Sequence, residues 1–598
     1  MPGDADVDEH AIDDRSVALT HRSRAFLVEA VLCGLAIVTW VSLSVVWLVR
    51  HRSGQPLNID EAGYLGIALN YAGGWERGGP PGWLDTVLAP SVHAPLTPAT
   101  ASIGVVMGME PRTAAFATVL GFSVVTTVFA VLLAAHFRVR GAMICSCLVL
   151  LAAPGFAELG RNFIFAVPAA AVTVAALYFL VRTEGLDRTR WAIALGVAVG
   201  LMPLTRTLMI AFVPVIVAVV AVNATATWVR ERSAGRRRIA NGAVAAAVAT
   251  GVGATWLVPS GRLVFDYLTG YGYGKHAADY TVEVAIPPLR LLTAASRDFH
   301  APILVFVVVA CLIAIWRRRT SSVRLFSRPG LVEAASSPLL ACAAFVIGAA
   351  VALMSSKNVG FGFTVPLIAP TAVLAVVVVL RAARASRRTW SAPLVVALIA
   401  VSAVVLTWPR FDSTSPLAEQ RFIIAGSTSI TITDGATSDP AYVFQPTRQA
   451  SPRVGDLVNE SEWGDDWSEA VDALTAEVLD GSTARPDVAF GFRDRFANVN
   501  SVQLEVLERL GYGIPVAQVD PTEWGRSTSD YTEWLTTGPA GSSCQLLIAP
   551  GFVNELTPLP GTPALRAAAV SVGFIKGDSV RLPDGREVQV WERDALGC

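Results

Sequence analysis

Charge is scarce in this sequence. Only 16% of its 598 residues are Asp, Glu, Lys or Arg, while 53% are hydrophobic and the mean hydropathy is +0.51. A soluble chain of this length needs more charged surface than that. Lysine stands at only three positions, 275, 357 and 576. The formal net charge of −1 carries none of the basic excess that a nucleic-acid partner requires. Internal repeats are absent, and low complexity is confined to the alanine and valine of the apolar runs. There are seven cysteines. Cys33, Cys145, Cys147, Cys311 and Cys342 fall in apolar runs and read as small hydrophobes. Cys145 and Cys147 are too close together for a zinc knuckle. Cys544 and Cys598 lie in the polar C-terminal part and can pair if that part is exported.

What is abundant is apolar length. After a polar tail over 1–24, rich in Asp and read as disordered, apolar runs occur at 26–49, 113–135, 141–157, 162–181, 191–206, 208–228, 240–258, 301–316, 332–354, 364–380 and 391–407. That predicts about eleven helices, most near the ~20 residues needed to cross hydrocarbon. The first run follows a long tail and lacks a small-residue cleavage site, so it reads as an anchor rather than a signal peptide. The chain thus divides into a cytoplasmic tail (1–24), a transmembrane domain (25–407) and a C-terminal domain (408–598) of ordinary soluble composition.

Arginine fixes the orientation. Arg138 and Arg140, then Arg182, Arg188 and Arg190, then Arg230, Arg232 and 236–238 fill alternate short loops. So do 317–319, Arg324 and Arg328, and finally Arg381, Arg384, Arg387 and Arg388. Positive loops stay in the cytoplasm. The N-terminus is therefore inside, and loops 50–112, 259–300 and 355–363 and the C-terminal domain are outside. The Ala-, Val- and Arg-rich, Lys-poor composition suits a bacterial cell membrane.

In outer loop 50–112, Asn58 can cap a helix whose third residue is Glu61. Ile59, Tyr64, Ile67, Ala68 and Tyr71 follow at near-helical spacing, as for a helix lying on the membrane surface. Gly73-Gly74 is read as its end. In the C-terminal domain, 487–492, 515–520 and 544–550 read as strands, 501–510 as an amphipathic helix, and 580–591 as a hairpin turning at Asp584-Gly585. Strand–helix alternation predicts a small α/β sheet. No Gly-rich phosphate loop or metal spacing stands in it. Trp463, Trp467 and Trp524 serve either its core or a glycan.

Asp60 and Glu61 are the acids most open to a chemical reading, although an acid in a helix's first turn also complements the dipole. Asp-Glu-Ala-x-Tyr just past the first span resembles the protein O-mannosyltransferase and aminoarabinose-transferase group, the GT-C class of membrane glycosyltransferases. Other stretches are similar to elements of that group in the same order. These are His93-Ala-Pro-Leu96, Gly160-Arg161 with Pro168, Trp191 to Gly196 and Gly200 with Leu204-Thr205-Arg206, and Lys357 to Pro366 and Pro370. Together they cover most of 25–380.

The resemblance implies a GT-C-like polytopic α-helical fold and an enzyme that takes a sugar from polyprenyl phosphate at the outer face. It transfers that sugar, with inversion, to a cell-envelope glycan, a lipid or an exported protein. General-base logic then assigns Asp60 to the acceptor hydroxyl, with Glu61 orienting it, helping to bind a metal or serving only the helix start. The leaving phosphate needs cations or a divalent metal such as Mg or Mn. Arg206, Lys357, His93, Arg161, Lys275 and His276 are the candidate phosphate partners. Tyr64, Tyr271 and Tyr273 are candidates to hold substrate. Members of the group often place an acid just after Gly-Arg. Here that stretch is Phe163-Ile-Phe-Ala-Val167, which leaves Glu158 as the acid to face a metal. Two other readings stay open: a transporter or flippase, which would place ionisable residues near mid-membrane, and a non-catalytic envelope scaffold with a glycan-binding exported domain.

Overall fold

The computed structural model describes residues 9–52, 57–231, 235–274, 286–319, 327–357, 362–385, 390–407, 411, 420–425, 428–433, 460–480, 487–492, 494, 496–519, 527–549 and 562–593. The helical part runs through α1 (Glu9–His51), α2 (Ile59–Val87), α3 (Leu96–Val106), α4 (Pro111–His136), α5 (Ala142–Ala152), α6 (Pro154–Leu159), α7 (Ala166–Arg182) and α8 (Thr189–Thr205). A 3-10 turn at Thr207–Ala211 leads to α9 (Val213–Glu231) and α10 (Gly235–Gly272). Then come α11 (Pro287–Arg319), α12 (Arg328–Ala335), α13 (Pro338–Ser355), α14 (Val365–Arg384) and α15 (Ser391–Thr407). Helix α7 is buried along nearly its whole length, with α4, α8 and α14 packed around it.

Every predicted apolar run is helical, but not every one is a full span. Among the described residues, six helices are long and apolar enough to cross a membrane: Phe26–Arg50, Pro111–His136, Thr207–Glu231, Gly235–Gly272, Pro338–Ser355 and Val365–Arg384. A seventh arises if Pro287–Ser296 and Ala301–Arg317, bent by 120°, count as one. Two of the others are cut short for identifiable reasons. Pro154 splits the run at 141–157 into α5 and α6. Residues 162–165 leave the helix to wrap around a buried acid, described below. Irregular backbone at this depth is tolerated where it is buried in protein or lines a cavity.

Helix α1 begins at Glu9, and no Gly or Pro interrupts Glu9–Ala30. Two further expectations are corrected. Helix α2 does not end at Gly73-Gly74. It runs on to a kink at Gly78 and Gly79 (φ 61°) before Pro80 and Pro81 start its second arm. Gly74 is needed where the arms meet, because a Cβ there would stand 2.8 Å from the Gly82 carbonyl oxygen. Finally, 259–300 is mostly helix rather than loop: α10 passes through Pro259 to Gly272, and α11 begins at Pro287. At 1.5 Å per residue α10 is about 57 Å long, so it outruns the hydrocarbon.

Helices α8 and α10 touch backbone to backbone. A Cβ on Gly196 would lie 2.5 Å from the Ala245 carbonyl oxygen, and one on Gly200 would lie 2.7 Å from that of Ala249. Small residues four apart permit this approach. The contact fixes the end of α8, where Arg206 leaves the helix.

The C-terminal part holds β1 (Gln420–Ala425), β2 (Thr428–Thr433), α16 (Glu460–Asp480), β3 (Val488–Phe490), α17 (Val499–Leu510), β4 (Val516–Gln518), α18 (Thr528–Thr536), β5 (Gln545–Ile548), α19 (Thr562–Ser571), β6 (Ile575–Arg581) and β7 (Glu587–Glu592). The antiparallel pair β1–β2 lies against α11. The main sheet has the order β4-β3-β5-β7-β6, with parallel β4-β3-β5 and an antiparallel β7-β6 hairpin. Gly585 (φ 84°) makes its turn. The predicted strands, helix and hairpin are thus all present. Trp467 is a core residue, packed on Phe496 at 5.3 Å. Trp524 lies outside the described residues. Cys544 is disulfide-bonded; Cys598, its expected partner, also lies outside them.

Candidate active site

The two acids at the start of α2 have different surroundings. Asn58 caps the helix: its Oδ1 accepts from the backbone N–H of Asp60 (3.1 Å) and Glu61 (3.0 Å), and Glu61 Oε2 accepts from the Asn58 N–H (3.4 Å). Glu61 is fully buried. Its Oε2 also accepts from Arg52 Nη2 and Asn58 Nδ2, both at 2.7 Å, and its Oε1 from the Phe163 N–H at 2.9 Å. Arg52 is equally enclosed. Glu61 therefore ties the end of α1 and the turn at 160–165 to α2. A buried charge of this kind persists only when paired and hydrogen-bonded.

Asp60 is half-buried, and its carboxylate accepts no hydrogen bond from a described side chain or backbone N–H. Burial raises its pKa to about 6, with the nearby Arg206 guanidinium pulling it down and Glu61 pushing it up. A half-buried carboxylate with a raised pKa and a cation beside it is a candidate proton acceptor near neutral pH.

Arg206 follows the last residue of α8 in extended conformation (φ −160°, ψ 133°). One Nη donates to the Gly362 carbonyl oxygen at 3.0 Å, and the guanidinium lies over the Phe363 ring at 4.5 Å. Gly362 needs its positive φ of 75° to present that carbonyl. Arg206 also interacts electrostatically with Asp60 and Asp298. The next residue, Thr207, donates to the Val92 carbonyl oxygen at 2.9 Å, which pins the loop carrying His93 to the same corner. Tyr64 bridges the parts: it stacks on Phe165 at 4.0 Å and meets His93 edge-on at 5.7 Å. Burial lowers the pKa of His93, so it is neutral at pH 7 and offers a hydrogen bond rather than the positive charge expected of it.

Beside this corner lies an open groove of about 630 Å³, lined by Val92, Asp266, Tyr267, Tyr271 and Gly274 among others. Tyr267 and Tyr271 sit 4.7 Å apart. Tyr273 is outside the groove, hydrogen-bonded to Ser355 Oγ at 3.0 Å. Lys357 is exposed at the same end of the bundle: its N–H donates to the Gly272 carbonyl oxygen and its own carbonyl accepts from Arg290 Nη1, both at 2.9 Å. Lys275 and His276 lie outside the described residues.

Arg161 does not face outward. It is fully buried, with its guanidinium between the rings of Trp47 (4.6 Å) and Phe411 (4.4 Å), a setting that suits a cation withdrawn from water. Glu158 is buried on α6. Among the described residues no three His, Cys, Asp or Glu side chains gather closely enough to hold a metal ion. Glu61 is already engaged with Arg52, Asn58 and Phe163, so the described acids do not gather as ligands for a divalent cation.

Four residues of this region carry little or no sequence signal. Arg52 precedes the cap without a motif. Tyr267 and Arg290 sit where a loop was expected. Asp298 is a single acid before an apolar run, buried and accepting from Thr364 Oγ1. The lone acid ahead of that run was the only available hint.

A bundle of apolar helices joined to a mixed α/β domain, with an acid and an arginine at one rim, defines a multi-pass membrane protein. Residues 92–249 match the family model described as dolichyl-phosphate-mannose-protein mannosyltransferase. That stretch contains His93, Arg161 and Arg206 and stops short of Asp60, so the resemblance read from the motifs is met over part of the chain. No curated protein matches it. Among solved structures it is similar to ArnT from Cupriavidus metallidurans bound to undecaprenyl phosphate, at 14% identity over 93% of this chain and 97% of that one, TM-score 0.49. The Archaeoglobus fulgidus oligosaccharyltransferase shares 12% identity over 86% of this chain and 69% of its own, TM-score 0.49. Arabinofuranosyltransferase AftD from Mycobacteria shares 13% over 94% and 40%, TM-score 0.48. Likeness at this level assigns no residue roles.

Proposed function

We propose that the chain is an inverting glycosyltransferase that moves a sugar from a polyprenyl-phosphate donor to a cell-envelope glycan, a lipid or an exported protein at the outer face of a bacterial membrane. The observation that carries this reading is Asp60: a half-buried carboxylate with a pKa near 6, facing Arg206 beside an open groove. The matched family model over 92–249 supports the reaction class.

In this reading the acceptor hydroxyl gives its proton to the Asp60 carboxylate as its oxygen attacks the anomeric carbon. The bond from that carbon to the phosphate oxygen breaks, and the polyprenyl phosphate leaves with the electron pair. Charge grows on the leaving phosphate, so cations there stabilise the transition state. Arg206 takes that role, with one Nη committed to Gly362 and its remaining N–H groups making no hydrogen bond to a described residue. Lys357 and Arg290 add positive charge at the same rim, and His93 a neutral donor. Tyr64, Tyr267 and Tyr271 supply aromatic faces for a sugar or prenyl chain. Glu61 acts through position, and Arg161 supports the turn at 160–165.

The contacts support the sidedness. Arg384 donates to the Arg140 carbonyl oxygen at 2.8 Å and Arg317 to that of Arg381 at 3.0 Å, so arginine-rich loops gather at one end of the bundle, the cytoplasmic end in this reading. Transfer of radiolabelled sugar from a panel of polyprenyl-phosphate monosaccharides, by parent and Asp60→Asn membranes, tests the proposal. Transfer by the parent that is lost in a folded Asp60→Asn protein is the expected result. Equal transfer by both overturns the Asp60 assignment, and none from either overturns the enzyme reading.

A further inference from the structure

Helix α17 of the C-terminal domain lies directly on the first turns of α2. Asn500 Nδ2 donates to the Ile59 carbonyl oxygen at 2.7 Å, one residue before Asp60 and 441 positions away in sequence. The contact depends on glycine. A Cβ on Gly63 would stand 2.8 Å from Asn500 Nδ2, and one on Gly66 would stand 3.4 Å from Leu507 Cδ1. Leu504, nearly fully buried, joins the same core as Ala62 and Leu65 of α2. Residues 500, 504 and 507 form one stripe of α17 at helical spacing, and Gly63 and Gly66 form one stripe of α2. The amide of Asn500 is itself preset, since its backbone N–H is held by the capping side chain of Asn498 at 2.9 Å.

The first turn of α2 is thus gripped from two sides. Glu61 anchors it to Arg52 and the Phe163 N–H, both in the helical bundle. Asn500 anchors it to the C-terminal domain. Asp60 stands in this same turn and has no hydrogen-bonded partner among the described residues to fix its own carboxylate. Its placement against Arg206 must therefore come from the backbone of this turn.

We infer that Asn500 is a positioning residue for Asp60, so that the C-terminal domain is part of the active site rather than an appended module. The inference rests on the reading of Asp60 as general base. Small displacements of a catalytic group are costly, up to about 100-fold per ångström. Losing the Asn500 contact lets the first turn drift from Arg206 and leaves the donor groove untouched.

The test uses the purified full chain and the polyprenyl-phosphate monosaccharide that the parent accepts. Asn500→Leu keeps the side-chain shape and removes the donor, whereas Gly63→Ala displaces Asn500 from the α2 side without changing any residue of α17. Both are expected to lower kcat about tenfold with the donor KM changed by less than about twofold. Both are also expected to move the acid limb of the kcat–pH profile to higher pH, because Arg206 no longer favours the carboxylate. Asn500→Gln, which can still reach the carbonyl, recovers part of the rate. Parental kcat in Asn500→Leu overturns the inference. So does a fall in kcat with an unmoved acid limb, which assigns Asn500 a structural contact only. Asp60→Asn run alongside separates the two readings. If it is inactive while Asn500→Leu is unaffected, only the inference made here fails. If it retains full transfer, the base assignment itself fails.

Discussion

At the scale of single residues, Asp60 and Glu61 are neighbours with opposite thermodynamic roles. The pKa of Asp60 is raised in the fold from 3.8 to about 6, so the folded state favours its protonated form and ionisation above pH 6 weighs against folding. That contribution is unfavourable above pH 6 and fades as the pH falls toward 4. Asp60→Asn is therefore expected to abolish transfer while stabilising the protein by on the order of 1 kcal/mol at pH 8, the value discounted for partial exposure. The gain should shrink by pH 4, and thermal unfolding of both proteins in detergent across that range checks it. In the parent, transfer should fall as the pH drops through about 6, where Asp60 takes up its proton. Removing the charge of Glu61 is expected to destabilise the fold instead. Glu61→Gln leaves the Arg52 guanidinium buried without its counter-ion, so a loss of roughly 3–5 kcal/mol is expected. It would be read as low yield and a low Tm before any change in chemistry. A Glu61→Gln protein with parental Tm contradicts the pairing described here.

Elements show which features the sequence made legible and which it could not. The Asn58–Glu61 capping box is a local pattern of four residues, and it is present as predicted. The strands and hairpin of the C-terminal domain follow from alternation and a Gly turn, and they too are present. Helix ends were less legible, because a Gly pair can mean either a stop or a close approach. At Gly73-Gly74 it means an approach within α2, and at Gly196 and Gly200 an approach of α8 to α10. The latter pair predicts a specific sensitivity. In Gly200→Ala the added Cβ would lie 2.7 Å from both the Ala249 carbonyl oxygen and Val252 Cβ. Overpacking of this kind costs about 1–3 kcal/mol and pushes α8 away from α10. Since Arg206 directly follows α8, transfer should fall along with Tm, and Gly251→Ala, with nothing within 4 Å of its added Cβ, should change neither. Equal Tm values for the two variants contradict the close packing.

On the scale of the whole molecule, the pairings that assemble the site are long-range, and no local pattern announces them. Glu61 reaches Phe163, Thr207 reaches Val92, Arg206 reaches Gly362, and Asn500 reaches Ile59. Sequence alone could place these stretches on one face only through arginine in the alternating loops. That orientation remains a proposal, and it rests on each apolar run crossing the membrane. It yields a prediction independent of enzymatic activity. Lys357 and Arg317 stand at opposite ends of the bundle, the first joined to the end of α10 and the second to the end of α14. Of the free cysteines among the described residues, only Cys311 is exposed, on the apolar flank of α11 where an aqueous reagent does not reach. A membrane-impermeant maleimide added to intact cells should therefore label Lys357→Cys and spare Arg317→Cys. Permeabilised cells should show both labelled. The reverse pattern would place Asp60 in the cytoplasm, where a lipid-linked donor presented at the outer face could not reach it. In that case the site geometry would stand, and the proposed side of action would not.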